Sequence, residues 1–132
     1  MTQQFKASYT IHPERDLVRM KLVGDIDAEK LLAFVKALAA DPAYRPGMKE
    51  LADCTECTLQ DKFQDMVAYT QVRSSHVPIR KRVRCATILA SEEFFAKGRI
   101  FAALHAPIGL DVEMFTDTRS ALEWLGVPEL DV

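Results

Sequence analysis

Residues 17–39 read LVRMKLVGDIDAEKLLAFVKALA, and the hydrophobic period changes in the middle of this stretch. From Leu17 to Val23, apolar residues alternate with basic ones after the first step, which is typical of a β-strand with one solvated face. From Asp27 onward, apolar residues recur at the i, i+3, i+4, i+7 spacing of an amphipathic helix, and Asp27 is placed to cap its first turn. A strand that leads directly into a helix predicts an α/β domain.

The rest of the chain repeats this change of period. A β-rich run at residues 9–11 precedes Leu17 and is joined to it by a loop that contains Pro13 and Asp16, as expected of a hairpin. Further strands are predicted at 50–53, 83–89 and 111–115, and further helices from Phe63, from Ser91 to about Ala106, and after Asp117. The predicted order is ββαβαβαβα, a mixed sheet of about five strands with about four helices.

Capping residues predict where the later helices begin and end. Ser91 and Asp117 are placed as N-caps of the third and fourth helices, and Gly126 followed by Pro128 ends the fourth. The apolar stripe of the second helix is predicted to comprise Phe63, Met66, Val67 and Thr70.

Composition indicates one globular domain over residues 1–132. The chain is 48% hydrophobic and 27% charged, with a formal net charge of -2. Such a weakly acidic chain has no overall field that would draw it onto nucleic acid, so we expect no nucleic-acid partner. The amino terminus lacks a secretory signal and no apolar run reaches membrane-spanning length, which predicts a cytoplasmic protein without a membrane span.

Two stretches, read with the element order, resemble a known family. Leu51-Ala52-Asp53 is a strand that ends in Asp, and residues 115–125, FTDTRSALEWL, are similar to the closing helix of uncharacterised SpoIIAA-like proteins. The chain therefore resembles the STAS-like family, whose founding members are bacterial anti-sigma-factor antagonists. The resemblance implies a single STAS-like (SpoIIAA-like) domain that is not an enzyme, uses no cofactor, and regulates by binding a protein partner.

The resemblance also indicates where a partner would bind. In the antagonists, a serine at the start of the helix after the third strand is phosphorylated. Aligning Asp53 with the strand-ending Asp of the family places Asp61 on a second Asp and Lys62 where that serine would be. Lysine cannot take its role, so we expect binding without phosphate control. The predicted partner-binding residues of the loop after the third strand are Asp53, Thr55, Glu56, Thr58, Asp61 and Lys62.

Cys54-Thr55-Glu56-Cys57 supports a different function. A Cys-x-x-Cys motif just past a strand can place two thiols near a helix N-terminus, where a thiolate is stabilised. A thiol-based redox enzyme that uses Cys54 and Cys57 is therefore an alternative. One such pair supplies only half of a four-ligand zinc site, so we expect no metal, and three cysteines in a cytosolic chain are expected to be reduced.

Arg80-Lys81-Arg82 is the basic cluster of the chain. It is a candidate anion-binding site for phosphate groups or an acidic partner, and the competing interpretation is a solvated loop that leads into a strand.

The helix that begins near Ser91 is apolar on more than one side, because charged residues interrupt only its middle. Such a helix needs a second partner. We predict a homodimer, and the alternative is a small apolar ligand, which would make the protein a ligand or lipid carrier. The apolar residues concerned are Phe94, Phe95, Ile100, Phe101 and Leu104.

Overall fold

The computed structural model describes residues 3–58 and 63–127. Strands and helices follow in the predicted order ββαβαβαβα. The elements are β1 (Lys6–His12), β2 (Leu17–Asp25), α1 (Ala28–Ala40), β3 (Lys49–Thr58), α2 (Phe63–His76), β4 (Val83–Ile88), α3 (Phe95–His105), β5 (Leu110–Phe115) and α4 (Thr118–Leu125). Over these two ranges, no helix combines the length and the apolar character that crossing a bilayer would require.

The five strands form one sheet in the order β1-β2-β3-β4-β5. β1 runs antiparallel to β2, and every other neighbouring pair is parallel. The prediction of a mixed sheet of about five strands is confirmed, and β4 lies inside the sheet between β3 and β5. Each parallel connection moves one strand further in the same direction, so right-handed crossovers place α1, α2 and α3 together on one face.

The two faces of the sheet carry separate apolar clusters. On one face, α4 packs Ala121, Leu122 and Leu125 against Leu51 and Ala86 of the sheet. The opposite face carries a larger cluster beneath α1, α2 and α3. Since side chains alternate along a strand, neighbours in sequence contribute to different clusters.

Three of the predicted caps are confirmed. Asp27 accepts a hydrogen bond from the Lys30 backbone N–H at 3.1 Å, and Asp117 accepts one from the Ser120 N–H at 2.8 Å. Gly126 ends α4 in the left-handed conformation, with φ of 79°. These bonds satisfy backbone donors and acceptors that the first and last turns of a helix leave without partners.

The predicted cap at Ser91 is wrong. A single 3-10 turn, Glu92–Phe94, precedes α3, and the Ser91 side chain makes no capping hydrogen bond. The turn is closed by the backbone instead, because the Phe94 N–H donates to the Ser91 carbonyl at 3.3 Å. The Ser91 hydroxyl is buried, and it has no hydrogen-bond partner among the described residues.

β3 is longer than predicted. The segment after Asp53 was predicted to be a loop, and this prediction is wrong for the residues up to Thr58, which belong to the strand. The strand extends from Lys49 to Thr58 because it continues to pair with the end of β2. A register shift accompanies this extension: Lys21 pairs with Asp53 and Val23 with Glu56, so β3 holds one extra residue. Such a bulge bends a strand without ending it.

The buried stripe of α2 also differs from the prediction. Phe63 is 58% exposed, whereas Tyr69 and Arg73 are buried beside Met66 and Thr70. The helix therefore turns a polar residue, Arg73, towards the sheet. Arg73 lines a cavity that lies between this helix and the sheet.

Candidate functional site

A cavity of about 350 Å³ lies between the sheet and the three helices α1, α2 and α3. This volume is within the range of small-molecule binding sites. Its wall is mostly apolar and includes Met20, Leu22, Leu31, Phe34, Met66 and Phe101. Leu38 is the single buried residue of α1, and most of the apolar side of that helix, Leu38 included, borders the cavity.

One end of the cavity is polar. Glu50 near the start of β3 and Arg73 in the last turn of α2 both line it, and both are buried. Burial raises the pKa of Glu50, and the positive charge of Arg73 offsets part of that effect. The Arg73 Nε has no hydrogen-bond partner among the described residues. A buried guanidinium with an unsatisfied donor costs free energy of folding. This end of the cavity is therefore a candidate binding site.

The thiol of Cys85 lies at the same polar end. Burial raises its pKa far above the ordinary range, and the nearby Glu50 raises it further. Its Sγ lies 3.7 Å from the Thr87 hydroxyl. A thiol held neutral in this way is a poor nucleophile, and Cys85 acts as a small buried side chain.

An aromatic stack borders the cavity between α2 and α3. The rings of Phe101 and His105 have centroids 3.9 Å apart, and the Tyr69 ring is 5.9 Å from His105. Burial lowers the pKa of His105 to about 4, so the imidazole is neutral at pH 7. Its Nδ1 then donates to the Phe101 carbonyl at 2.9 Å. The Nε2 has no partner within the described ranges.

The basic cluster is divided by the fold. Arg80 and Lys81 are exposed and line the cavity, and they lie just before β4, at the same end of the sheet as Glu50. Arg82 is engaged elsewhere: its guanidinium donates to both carboxylate oxygens of Asp111, at 2.8 and 2.6 Å. This bidentate pair leaves Arg80 and Lys81 as the members of the cluster at the cavity.

The two thiols of the Cys-x-x-Cys motif lie inside β3, and the redox alternative would have placed them past the strand and near a helix N-terminus. The bulge between Asp53 and Glu56 brings Cys54 and Cys57 to the same face, although residues three apart in a regular strand face opposite ways. A hydrogen bond between them lowers the pKa of Cys57 and raises that of Cys54. Cys54 is buried at the cavity wall, and Cys57 is half-buried.

The structure separates most of the predicted partner-binding residues from the cavity. Thr55 donates its backbone N–H and its hydroxyl to Asp53, at 3.0 and 2.7 Å, and Glu56 forms a 3.1 Å ion pair with Lys21. Thr55, Glu56 and Thr58 are exposed, and Asp53 is half-buried. The two remaining residues, Asp61 and Lys62, lie outside the described residues.

Sequence reasoning did not predict that Glu50, Arg73 and His105 lie at or beside one cavity. A signal was present for two of them: Glu50 interrupts an apolar strand, and Arg73 lies four residues after Tyr69, on the buried side of α2. Within the described residues, no group of three or more His, Cys, Asp or Glu side chains is arranged to hold a metal ion.

Comparison with known proteins identifies the fold. No family model matches this chain, and no curated protein matches it either. Among solved structures, it is similar to an uncharacterised protein of the DUF3478 family with a SpoIIAA-like fold from Shewanella loihica PV-4. The TM-score is 0.58 at 21% identity, over 95% of this chain and 98% of that one. The chain has the SpoIIAA-like fold that its sequence predicted.

Proposed function

We propose that this protein is a non-catalytic binding module that holds a small, largely apolar ligand in the cavity beneath α1, α2 and α3. The observation that carries the proposal is the cavity itself, about 350 Å³ in a domain of 132 residues. Protein interiors are normally packed to the density of organic crystals, so an unfilled apolar space of this size costs stability that a ligand would recover.

The environment of the reactive side chains supports binding over catalysis. Cys85 is held as a neutral thiol, and the His105 imidazole is stacked on the Phe101 ring and donates its Nδ1–H in a hydrogen bond to the Phe101 carbonyl. Neither side chain is paired with the other as a nucleophile and its base would be. The thiol-based redox alternative rests on Cys54 and Cys57 alone.

The test is a titration with Nile red, a neutral apolar dye. We expect the wild-type protein to enhance its fluorescence saturably. Ala52→Phe places a large ring from β3 into the cavity and should reduce this binding strongly. The matched control is Ala33→Phe, which adds the same ring at an exposed position of α1 that does not line the cavity. Equal binding by both variants would contradict the proposal.

A second proposal concerns a protein partner. We propose that Asp53, Thr55, Glu56 and Thr58 contact it, because the bulge in β3 directs carboxylate and hydroxyl groups to the surface there. Charge reversal with Glu56→Lys should weaken a complex with an identified partner while leaving the melting temperature nearly unchanged. The control is Glu123→Lys on α4. A complex weakened equally by both variants would reject this surface.

Two further parts of the proposal follow from the sequence. A homodimer remains a prediction, although Phe94, Phe95 and Phe101 of the α3 region pack against the apolar cluster of the domain itself. A cytoplasmic location is proposed because all three cysteines are free, as is usual for proteins of a reducing compartment.

A further inference from the structure

A ligand in the cavity would have to provide a hydrogen-bond acceptor for the buried guanidinium of Arg73 at the polar end. Arg73 is only 7% exposed, lines the cavity, and has an Nε without a hydrogen-bond partner among the described residues. Arginine carries its charge at every accessible pH and offers donors in a planar fork. An oxygen acceptor placed in the cavity would satisfy a donor that the protein itself leaves unsatisfied.

Glu50 does not remove the need for such an acceptor. Its carboxyl group also lines the cavity, but burial raises its pKa and so works against the negative form. The groups that act on Glu50 are Arg73, Cys85, Tyr44 and Tyr69, and among them only Arg73 is a cation.

The outer side of the same end is also positive. Arg80 and Lys81 line the cavity from an exposed loop, and the stem of Lys81 lies against the turn at Gly47. Exposed basic side chains at an opening raise the local concentration of anions. From the buried Arg73, this basic rim and the apolar wall, we infer that the ligand is an amphiphile with one carboxylate, which Arg73 binds, and an apolar body that fills the remaining cavity.

A carboxylate fits this end better than a phosphate. A phosphate monoester carries nearly two negative charges at neutral pH, and burying them requires more than one buried cation, whereas Arg80 and Lys81 at this end are exposed. The described residues place one buried guanidinium there, whose fork matches the two oxygens of a carboxylate. The inference rests on the proposed function, since it names the class of ligand for the same cavity.

The experiment compares head groups on one apolar body. Decanoate, decan-1-ol and decyl phosphate, each below its micelle concentration, compete with Nile red for the wild-type protein. We expect decanoate to bind at least about tenfold more tightly than decan-1-ol, as a charge-assisted hydrogen bond would provide. Decyl phosphate should bind more weakly than decanoate.

Substitutions of Arg73 test whether this residue causes the difference in affinity between decanoate and decan-1-ol. Arg73→Met keeps an unbranched apolar stem and removes the guanidinium with its charge, and should weaken decanoate binding about 10- to 100-fold while changing decan-1-ol binding by less than about threefold. Arg73→Lys keeps the charge without the fork and should give an intermediate loss. The matched control is Arg119→Met on α4, across the sheet, which should change neither. Melting curves verify that each variant is folded.

The outcomes separate this inference from the proposed function. Nile red binding with equal affinities for decanoate and decan-1-ol would overturn the carboxylate inference and leave the cavity function standing. Tighter binding of decyl phosphate would reject the carboxylate in favour of a phosphate. If Nile red itself failed to bind, both the proposed function and the inference would fall. The wild-type comparison decides these points even if the Arg73 variants do not fold.

Discussion

Burial of the His105 side chain makes the free energy of unfolding depend on pH. Its pKa is about 4 in the folded protein, against 6.5 for an ordinary histidine. Below pH 6.5 the unfolded chain takes up a proton that the folded chain resists, so stability falls as the pH drops from 6.5 towards 4. Between pH 7 and pH 4.5, we expect this residue alone to remove about 2 kcal/mol from the free energy of unfolding.

Urea denaturation at the two pH values measures this contribution. In His105→Gln the loss between pH 7 and pH 4.5 should be smaller than in the wild type by about the same 2 kcal/mol. The control is His76→Gln, because His76 is exposed in the last turn of α2. An unchanged pH dependence in His105→Gln would show that the imidazole is not buried as a neutral group.

The three cysteines should react at different rates. Cys57 is half-buried with a lowered pKa, whereas burial and the hydrogen bond raise the pKa of Cys54, and Cys85 is buried with a raised pKa. At pH 7.5 iodoacetamide should therefore modify Cys57 first, because the thiolate is the reactive form. Cys54→Ala removes the hydrogen bond and should slow that reaction. Peptide mass spectrometry gives the order, and faster modification of Cys85 in the folded protein would contradict it.

Residues differ in how visible their roles are in sequence. The Cys54 and Cys57 motif is visible in the sequence, yet its geometry depends on a bulge in β3, which no spacing rule predicts. Arg73 and Glu50 lie more than twenty positions apart, and only the pairing of β3 with β4 and the crossover through α2 bring them to one cavity. Their shared place at the cavity therefore depends on the tertiary structure and cannot be read from local sequence.

At the scale of elements, the two capping predictions made for the third and fourth helices can be separated by experiment. Asp117→Ala should destabilise the protein by about 1 kcal/mol, the usual value of an N-cap, because Asp117 accepts a hydrogen bond from the Ser120 N–H. Ser91→Ala should cost little or nothing, since the Ser91 hydroxyl is buried without a partner in the described part of the chain. Equal losses in both variants, measured by urea denaturation, would contradict the assigned caps.

The elements themselves were largely predictable from local physics. Alternating and helical periods placed all five strands and four helices, and Asp27, Asp117 and Gly126 marked real helix ends. The end of β3 was not predictable in the same way. Its last residues, Thr55 to Thr58, have no apolar alternation and are held by backbone pairing with β2, which depends on the neighbouring strand.

At the scale of the whole molecule, the two faces of the sheet should differ in how well they tolerate a larger side chain. Ala52 in β3 faces the cavity, and Ala86 in β4 lies beneath α4 with no exposed surface. Ala52→Phe should shift the melting temperature little, because space is present for the ring. Ala86→Phe should lower it by several degrees, since overpacking costs about 1–3 kcal/mol. Calorimetry compares the two variants, and equal losses would show that the cavity is not open space.

The central claim is that an apolar ligand occupies the space between the sheet and its three covering helices. Methionine methyl groups report on that space directly: Met20, Met66 and Met114 line the cavity, whereas Met48 is buried without lining it. The most direct measurement is a methyl-¹³C NMR titration of methionine-labelled protein with decanoate. The account predicts that the resonances of Met20, Met66 and Met114 shift together and saturate while that of Met48 stays in place. Unchanged cavity resonances, or shifts confined to Met48, at decanoate concentrations that displace Nile red would contradict it.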